Sequence, residues 1–234
     1  MVLGGADGRV LEWRPEAAAE LAALEGAVTA LAVHPGGEIL GAGTEHGEVY
    51  LVRPPRDLQL LERPEEAGPV DAVRAVRFSP DGRRVAAALG PRGAASWRTR
   101  DGAALARIQP PERPGKAFST AYSLAFGPGG EVLATGWDSD LVLISSAETG
   151  EERAVLDGRG GALLGRVSGV LFSDGGRRLL AASSEVRVWD CSRGTVLLAI
   201  DPPGEQVTHL AFARGGEDLA LATDGGLLQL LRVR

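Results

Sequence analysis

Three histidines, one cysteine and a tryptophan followed by two aspartates are the side chains of this chain with most chemistry to offer. His34 sits in a Pro-Gly-Gly turn, His46 in a polar hairpin and His209 in an apolar stretch. No HExxH motif and no paired-cysteine spacing joins them, so no metal ligand set is expected. No GxSxG elbow supports a serine nucleophile. The Gly-rich runs at 158–161 and 214–216 lack the Lys-Ser/Thr or strand–helix setting of a phosphate cradle, so they read as loops and no cofactor is expected. Cys191 is the single cysteine, which excludes an internal disulfide framework. What remains is recognition rather than reaction. Trp137 lies in TGWDSD at 135–140, followed by Asp138 and Asp140. Exposed, it would anchor a peptide, since tryptophan is enriched at interface hot spots. Packed, it would wedge between neighbouring structural units.

Composition narrows the partners. The chain has 234 residues, 44% of them hydrophobic, and a formal net charge of −6. That charge argues against nucleic acid or an anionic membrane, because both call for a basic face. No 18-residue apolar run is present, so no membrane-spanning helix is expected. Residues 1–15 lack a signal-peptide profile, and with a lone cysteine the expected location is the cytoplasm. Lys116 is the only lysine among 25 basic residues. That bias, with abundant Ala and Gly, suggests a GC-rich bacterial genome.

The elements that would position these residues follow one internal ruler. A Phe-like and a Trp-like residue recur 19 positions apart: Val33 and Val52, Phe78 and Trp97, Phe126 and Ser145, Phe212 and Leu231. Phe172 and Trp189 keep the pattern two residues shorter, and Trp13 marks a sixth Trp slot. Each unit opens with a short apolar strand, at 28–33, 73–78, 121–126, 167–172 and 207–212. Large residues spaced two apart give it one buried face. A turn follows, as in HPGGE (34–38), SPDGR (79–83) and GPGGE (127–131). Pro fixes one φ and Gly supplies a positive φ for the tight reversal. A second strand of small and apolar residues and a third strand ending at the Trp slot complete the pattern. Five residues past that slot comes Gly102, Gly150 or Gly194, and then a fourth strand. The stretch 16–25 is Ala-, Glu- and Leu-rich and helical by propensity. Its register in the repeat instead predicts a strand.

A unit of about 40 residues repeated in one register means copies stacked on each other. Four antiparallel strands per unit, arranged in a ring, make a β-propeller. The chain resembles the WD-repeat family, most closely in FSDGG at 172–176 with VRVWD at 186–190, and also in FSPDG at 78–82 and ADGRVLEW at 6–13. The resemblance covers the whole chain. The family's Gly-His pair is absent from every unit, and only Trp189-Asp190 keeps the Trp-Asp dipeptide. Packing of Val, Leu and Phe between sheets must then replace the family's side-chain network. The expected fold is all-β: a single propeller of about six four-stranded antiparallel blades, the first and last incomplete. Met1 falls at the start of a second strand and Arg234 just after a third, which leaves 22 strands where six blades need 24. Three explanations stay open: a start lying upstream, a ring closed with two three-stranded blades, or a strand donated by a partner at the N-terminal seam.

The resemblance implies that the hairpins between second and third strands lie on the partner-binding face. They bring Glu45 and His46, Arg92, Trp137 and Asp138, Glu185, and Asp224 to one mildly acidic rim, for which a basic or mixed peptide is the expected partner. The Pro-rich connectors at 53–57 and 110–116 read as stiff spacers or docking loops. The inner strands offer mainly small side chains to a central channel, with Arg77, Ser123 and His209 the polar ones. That is poor catalytic material. The expectation is a non-catalytic scaffold for protein or peptide partners; the alternative is a propeller lyase or hydrolase, or a small-ligand binder, working in the channel.

Overall fold

The computed structural model describes residues 1–54, 57–62, 71–109, 119–138, 141–157, 165–201, 206–213 and 218–232. Asp140, the connector 110–116, residues 55–56 of the other connector, and the Gly-rich runs 158–161 and 214–216 lie outside them. The described residues form six small antiparallel sheets. The first has three strands: β1 (Val2–Gly4), β2 (Arg9–Arg14) and β3 (Ala17–Ala23). The second has β4 (Val28–Val33), β5 (Leu40–Thr44), β6 (Val49–Arg53) and β7 (Asp57–Leu60). The third has β8 (Ala75–Phe78), β9 (Arg84–Ala88), β10 (Ala94–Arg98) and β11 (Ala104–Ile108). The fourth has β12 (Ala121–Phe126), β13 (Val132–Trp137), β14 (Leu141–Ser146) and β15 (Glu152–Asp157). The fifth has β16 (Gly169–Ser173), β17 (Arg178–Ala182), β18 (Val186–Asp190) and β19 (Thr195–Ile200). The sixth has β20 (Val207–Ala213), β21 (Asp218–Thr223) and β22 (Leu228–Arg232). The expected strands, including the strand over 17–23 against its helical propensity, are all present.

Turn chemistry explains the hairpins. Between first and second strands, Gly37 donates to the His34 carbonyl at 2.7 Å, Gly82 to Ser79 at 2.8 Å and Gly130 to Gly127 at 2.9 Å. Each of these glycines has φ between 70° and 77°, a region costly for a side chain. Past the Trp slot, Gly102, Gly150 and Gly194 donate to the carbonyls of Arg98, Ser146 and Asp190.

Core packing occurs between successive sheets. Strand β4 packs on β8, β8 on β12, β12 on β16 and β16 on β20, while β1 packs on β4. Among the described residues no comparable packing joins β20 to β1. Side chains alternate along each strand, so one set faces the preceding sheet and the other the next. Trp97 faces back onto Val49, Leu51 and Leu61, and Trp189 onto Val142, Ile144 and Leu156. Burying an aromatic of roughly 150–250 Å² at about 25 cal/mol per Å² contributes on the order of 4–6 kcal/mol before ordering entropy.

Trp137 takes the packed one of the two places open to it, which corrects its candidacy as an exposed anchor. It is 0% exposed, at the end of β13. The facing surface of the third sheet is built from Ala75, Ala86, Ala88, Ala94 and Ala106, whose small side chains leave room for the indole. Its Nε1 donates to Thr135 Oγ1 at 3.0 Å. The Trp slot of this sheet holds Ser145, so the bulk enters from the second strand instead of the third. Among the described residues no helix is long and apolar enough to cross a membrane.

Candidate functional site

At one end of the second to sixth sheets, the start of the first strand meets a hairpin of the preceding sheet. A backbone bond joins that corner to the preceding sheet five times in succession. Val28 donates to Gly5, Val73 to Thr44, Ala121 to Gly90 and Val167 to Trp137, all at 3.0 Å, and Val207 donates to Ser183 at 2.9 Å. The hairpin tips are held as well. The Ala27 N–H donates to Glu45 Oε1 at 2.8 Å, and the Glu45 N–H returns to the Ala27 carbonyl at 2.9 Å. Asp224 repeats the device with Gln206, at 3.1 Å to its carboxylate and 3.0 Å from its N–H. Asp138 donates its N–H to the Thr120 carbonyl at 3.0 Å. These residues do share one end of the sheets, as the repeat implied. The carboxylates of Glu45 and Asp224, however, serve the protein's own backbone.

The other rim residues fare similarly. Glu185 is ion-paired with the buried Arg187, so its charge is compensated inside the fifth sheet. Arg92 is half-buried, and its backbone N–H reaches the Leu89 carbonyl at 3.3 Å. His46 is exposed, with its ring against Gly26, where an added Cβ would lie 2.6 Å away.

The aromatic presented at this end is Tyr122, which the repeat pattern passed over. It is half-buried, one residue into β12. The Arg74 guanidinium lies 5.5 Å from its ring centroid and the Arg166 guanidinium 5.3 Å. Both distances are within cation–π range. Arg74 is held from the other side by Asp71 at 2.7 Å, whose Oδ1 also accepts the Ala72 N–H at 2.8 Å. Partial burial works against the Asp71 charge, but these hydrogen bonds and the Arg74 charge outweigh it and hold its pKa below the ordinary carboxylate value. Asp71 is therefore ionised at neutral pH. Arg74, Tyr122 and Arg166 come from the third and fourth sheets and the lead into the fifth. A sequence signal existed. The position after the first residue of each inner strand carries Thr29, Ser168 and Thr208 in three units, and Arg74 and Tyr122 stand in that place in the other two.

The sheets' opposite end forms a cleft of about 700 Å³. His34, the turn 81–84, Arg98, Thr99, Arg100, Glu131 and Glu148 line it. His34 Nε2 lies 3.1 Å from the Gly82 carbonyl, and its ring meets Phe78 edge-on at 5.3 Å. Arg84 bridges to Glu148 at 3.2 Å and to the Gly130 carbonyl at 3.4 Å. Among the described residues the buried Thr99 hydroxyl has no hydrogen-bond partner.

The residues expected to face a channel divide. Ser123 is buried and donates to the Val167 carbonyl at 2.8 Å. Arg77 and His209 are exposed. Surrounding protein still desolvates the Arg77 guanidinium enough to push it below the ordinary arginine value. The three histidines do not converge, and no group of metal-ligating side chains occurs among the described residues. Compared with family models and with curated proteins, the chain matches none.

Proposed function

We propose that the six stacked sheets are blades of a WD-like β-propeller, and that the chain is a non-catalytic scaffold for protein partners in a cytoplasmic bacterial assembly. One observation carries this reading: three consecutive sheets bring Arg74, Tyr122 and Arg166 to one solvent-reached spot at the end that carries the locked hairpins. Tyrosine and arginine are, with tryptophan, the side chains that most often dominate binding energy at interfaces. The backbone bonds between sheets hold the spot in place before a partner arrives, which lowers the ordering cost of association. The test is affinity purification of the full chain from its source, wild type beside Tyr122→Ala. Stoichiometric partners on the wild type and their loss from the variant are expected, with thermal unfolding within about 2 °C. A wild-type chain recovered alone and monomeric would sink the scaffold reading. Partners kept in full by Tyr122→Ala would sink the choice of face.

The cleft at the other end favours a second reading, a small-ligand binder. Its volume lies in the usual range for such sites, roughly 300–1,000 Å³. A metabolite panel that raises the melting temperature of the wild type but not of Arg100→Ala would support it; no shift with any metabolite would count against it.

A further inference from the structure

We infer that Arg74, Tyr122 and Arg166 form a receptor for side-chain carboxylates of an acidic peptide segment. The inference rests on reading this end of the sheets as a partner-binding face. Two like charges sit against one phenol ring, 5.5 and 5.3 Å from its centroid, and among the described residues a single paired carboxylate, Asp71, opposes them. Arg166 has no carboxylate partner and the Tyr122 hydroxyl no hydrogen bond among the described residues. A guanidinium held on an aromatic ring keeps its N–H fork for a planar bidentate acceptor, and a carboxylate is such an acceptor.

Apart from Asp71, three acids of this face are already engaged within the protein. Glu45 and Asp224 accept backbone N–H groups, and Glu185 is paired with Arg187. The partner expected from the sequence, a basic or mixed peptide, assumed those carboxylates to be available. With those three occupied, the Arg166 guanidinium on the Tyr122 ring is a positive charge with no carboxylate paired to it among the described residues. A long polyanion is disfavoured by the net charge of −6 over the whole chain. A short acidic segment is affected far less, because charges beyond about 8 Å are screened at physiological salt.

The experiment is fluorescence anisotropy of the full chain with two labelled hexapeptides, one with four central glutamates and one with four glutamines. The glutamate peptide should bind at least about tenfold more tightly, and its affinity should fall as salt rises. Arg166→Ala should weaken it about tenfold or more, as expected for a lost charge-assisted contact. Asp71→Asn should tighten it several-fold by removing the competing carboxylate while keeping an acceptor for the Ala72 N–H. Arg83→Ala, at the opposite end, should leave affinity unchanged. Equal affinity for the two peptides, or equal behaviour of Arg166→Ala and Arg83→Ala, would overturn the inference. If the glutamate peptide fails while purified partners still depend on Tyr122, the face stands and its carboxylate chemistry falls. Thermal unfolding of each variant separates lost binding from lost fold.

Discussion

Trp137 shows how one side chain's role depends on what faces it. The two aspartates that follow it and its place outside the Trp slot suggest a surface anchor. In the fold it fills a hollow lined by five alanines of the third sheet. Trp137→Ala should therefore cost about 3–5 kcal/mol in urea unfolding, as removal of a large buried aromatic does. A substitution at a true surface anchor would stay within about 0.5 kcal/mol. Tyr122 is the converse case. Its position in the repeat holds Thr29, Ser168 and Thr208 in three other units and Arg74 in a fourth, so the departure marks the place but not its role. Only the approach of Arg74 and Arg166 gives it a role.

At the scale of the element, the turns were legible because their chemistry is local. Gly102, Gly150 and Gly194 recur at one offset and adopt φ of 73°, 76° and 65°. A Cβ on Gly150 would also meet the Arg107 carbonyl oxygen of the preceding sheet at 2.3 Å. Gly150→Ala should destabilise by more than about 1 kcal/mol, through both the positive φ and that backbone clash. Gly194 has only a side-chain carbon of Leu156 near its Cβ position, at 4.0 Å. Gly194→Ala should then show the φ penalty alone, and parallel denaturant melts of the two variants separate the contributions. The strand over 17–23 makes the same point from the other side. Helix propensity there is a weak preference, and pairing of β3 with β2 overrides it.

For the whole molecule, equivalent positions in the repeat have unequal surroundings. Leu51 and Leu230 both sit one residue before the Trp slot, on the side turned away from the preceding sheet. Leu51 is 0% exposed against the third sheet, whereas Leu230 is 62% exposed and its neighbour Leu228 71%. Trp13 shows the matching difference at the other end, 45% exposed where Trp97 is 0%. Leu51→Ala should cost about 2–5 kcal/mol and Leu230→Ala less than about 0.5, measured as the shift in urea midpoint. Equal losses would mean that the sixth sheet is covered in solution by something that buries Leu230.

The amino-acid sequence by itself determined the period, the strands and their register, and the glycine turns, because each follows from side-chain alternation and backbone dihedral preference within about 40 residues. It also placed Glu45, Asp138, Glu185 and Asp224 at one end of the sheets. Tertiary structure alone decided which of those charges stay available, since Ala27, Gln206 and Arg187 occupy Glu45, Asp224 and Glu185. It decided that Trp137 is packed, through the alanine face opposite. It also decided that Arg74, Tyr122 and Arg166, up to 92 positions apart in the chain (166 − 74), share one ring. Contacts between sheets depend on how adjacent copies stack, and a repeat read one copy at a time contains no term for its neighbour.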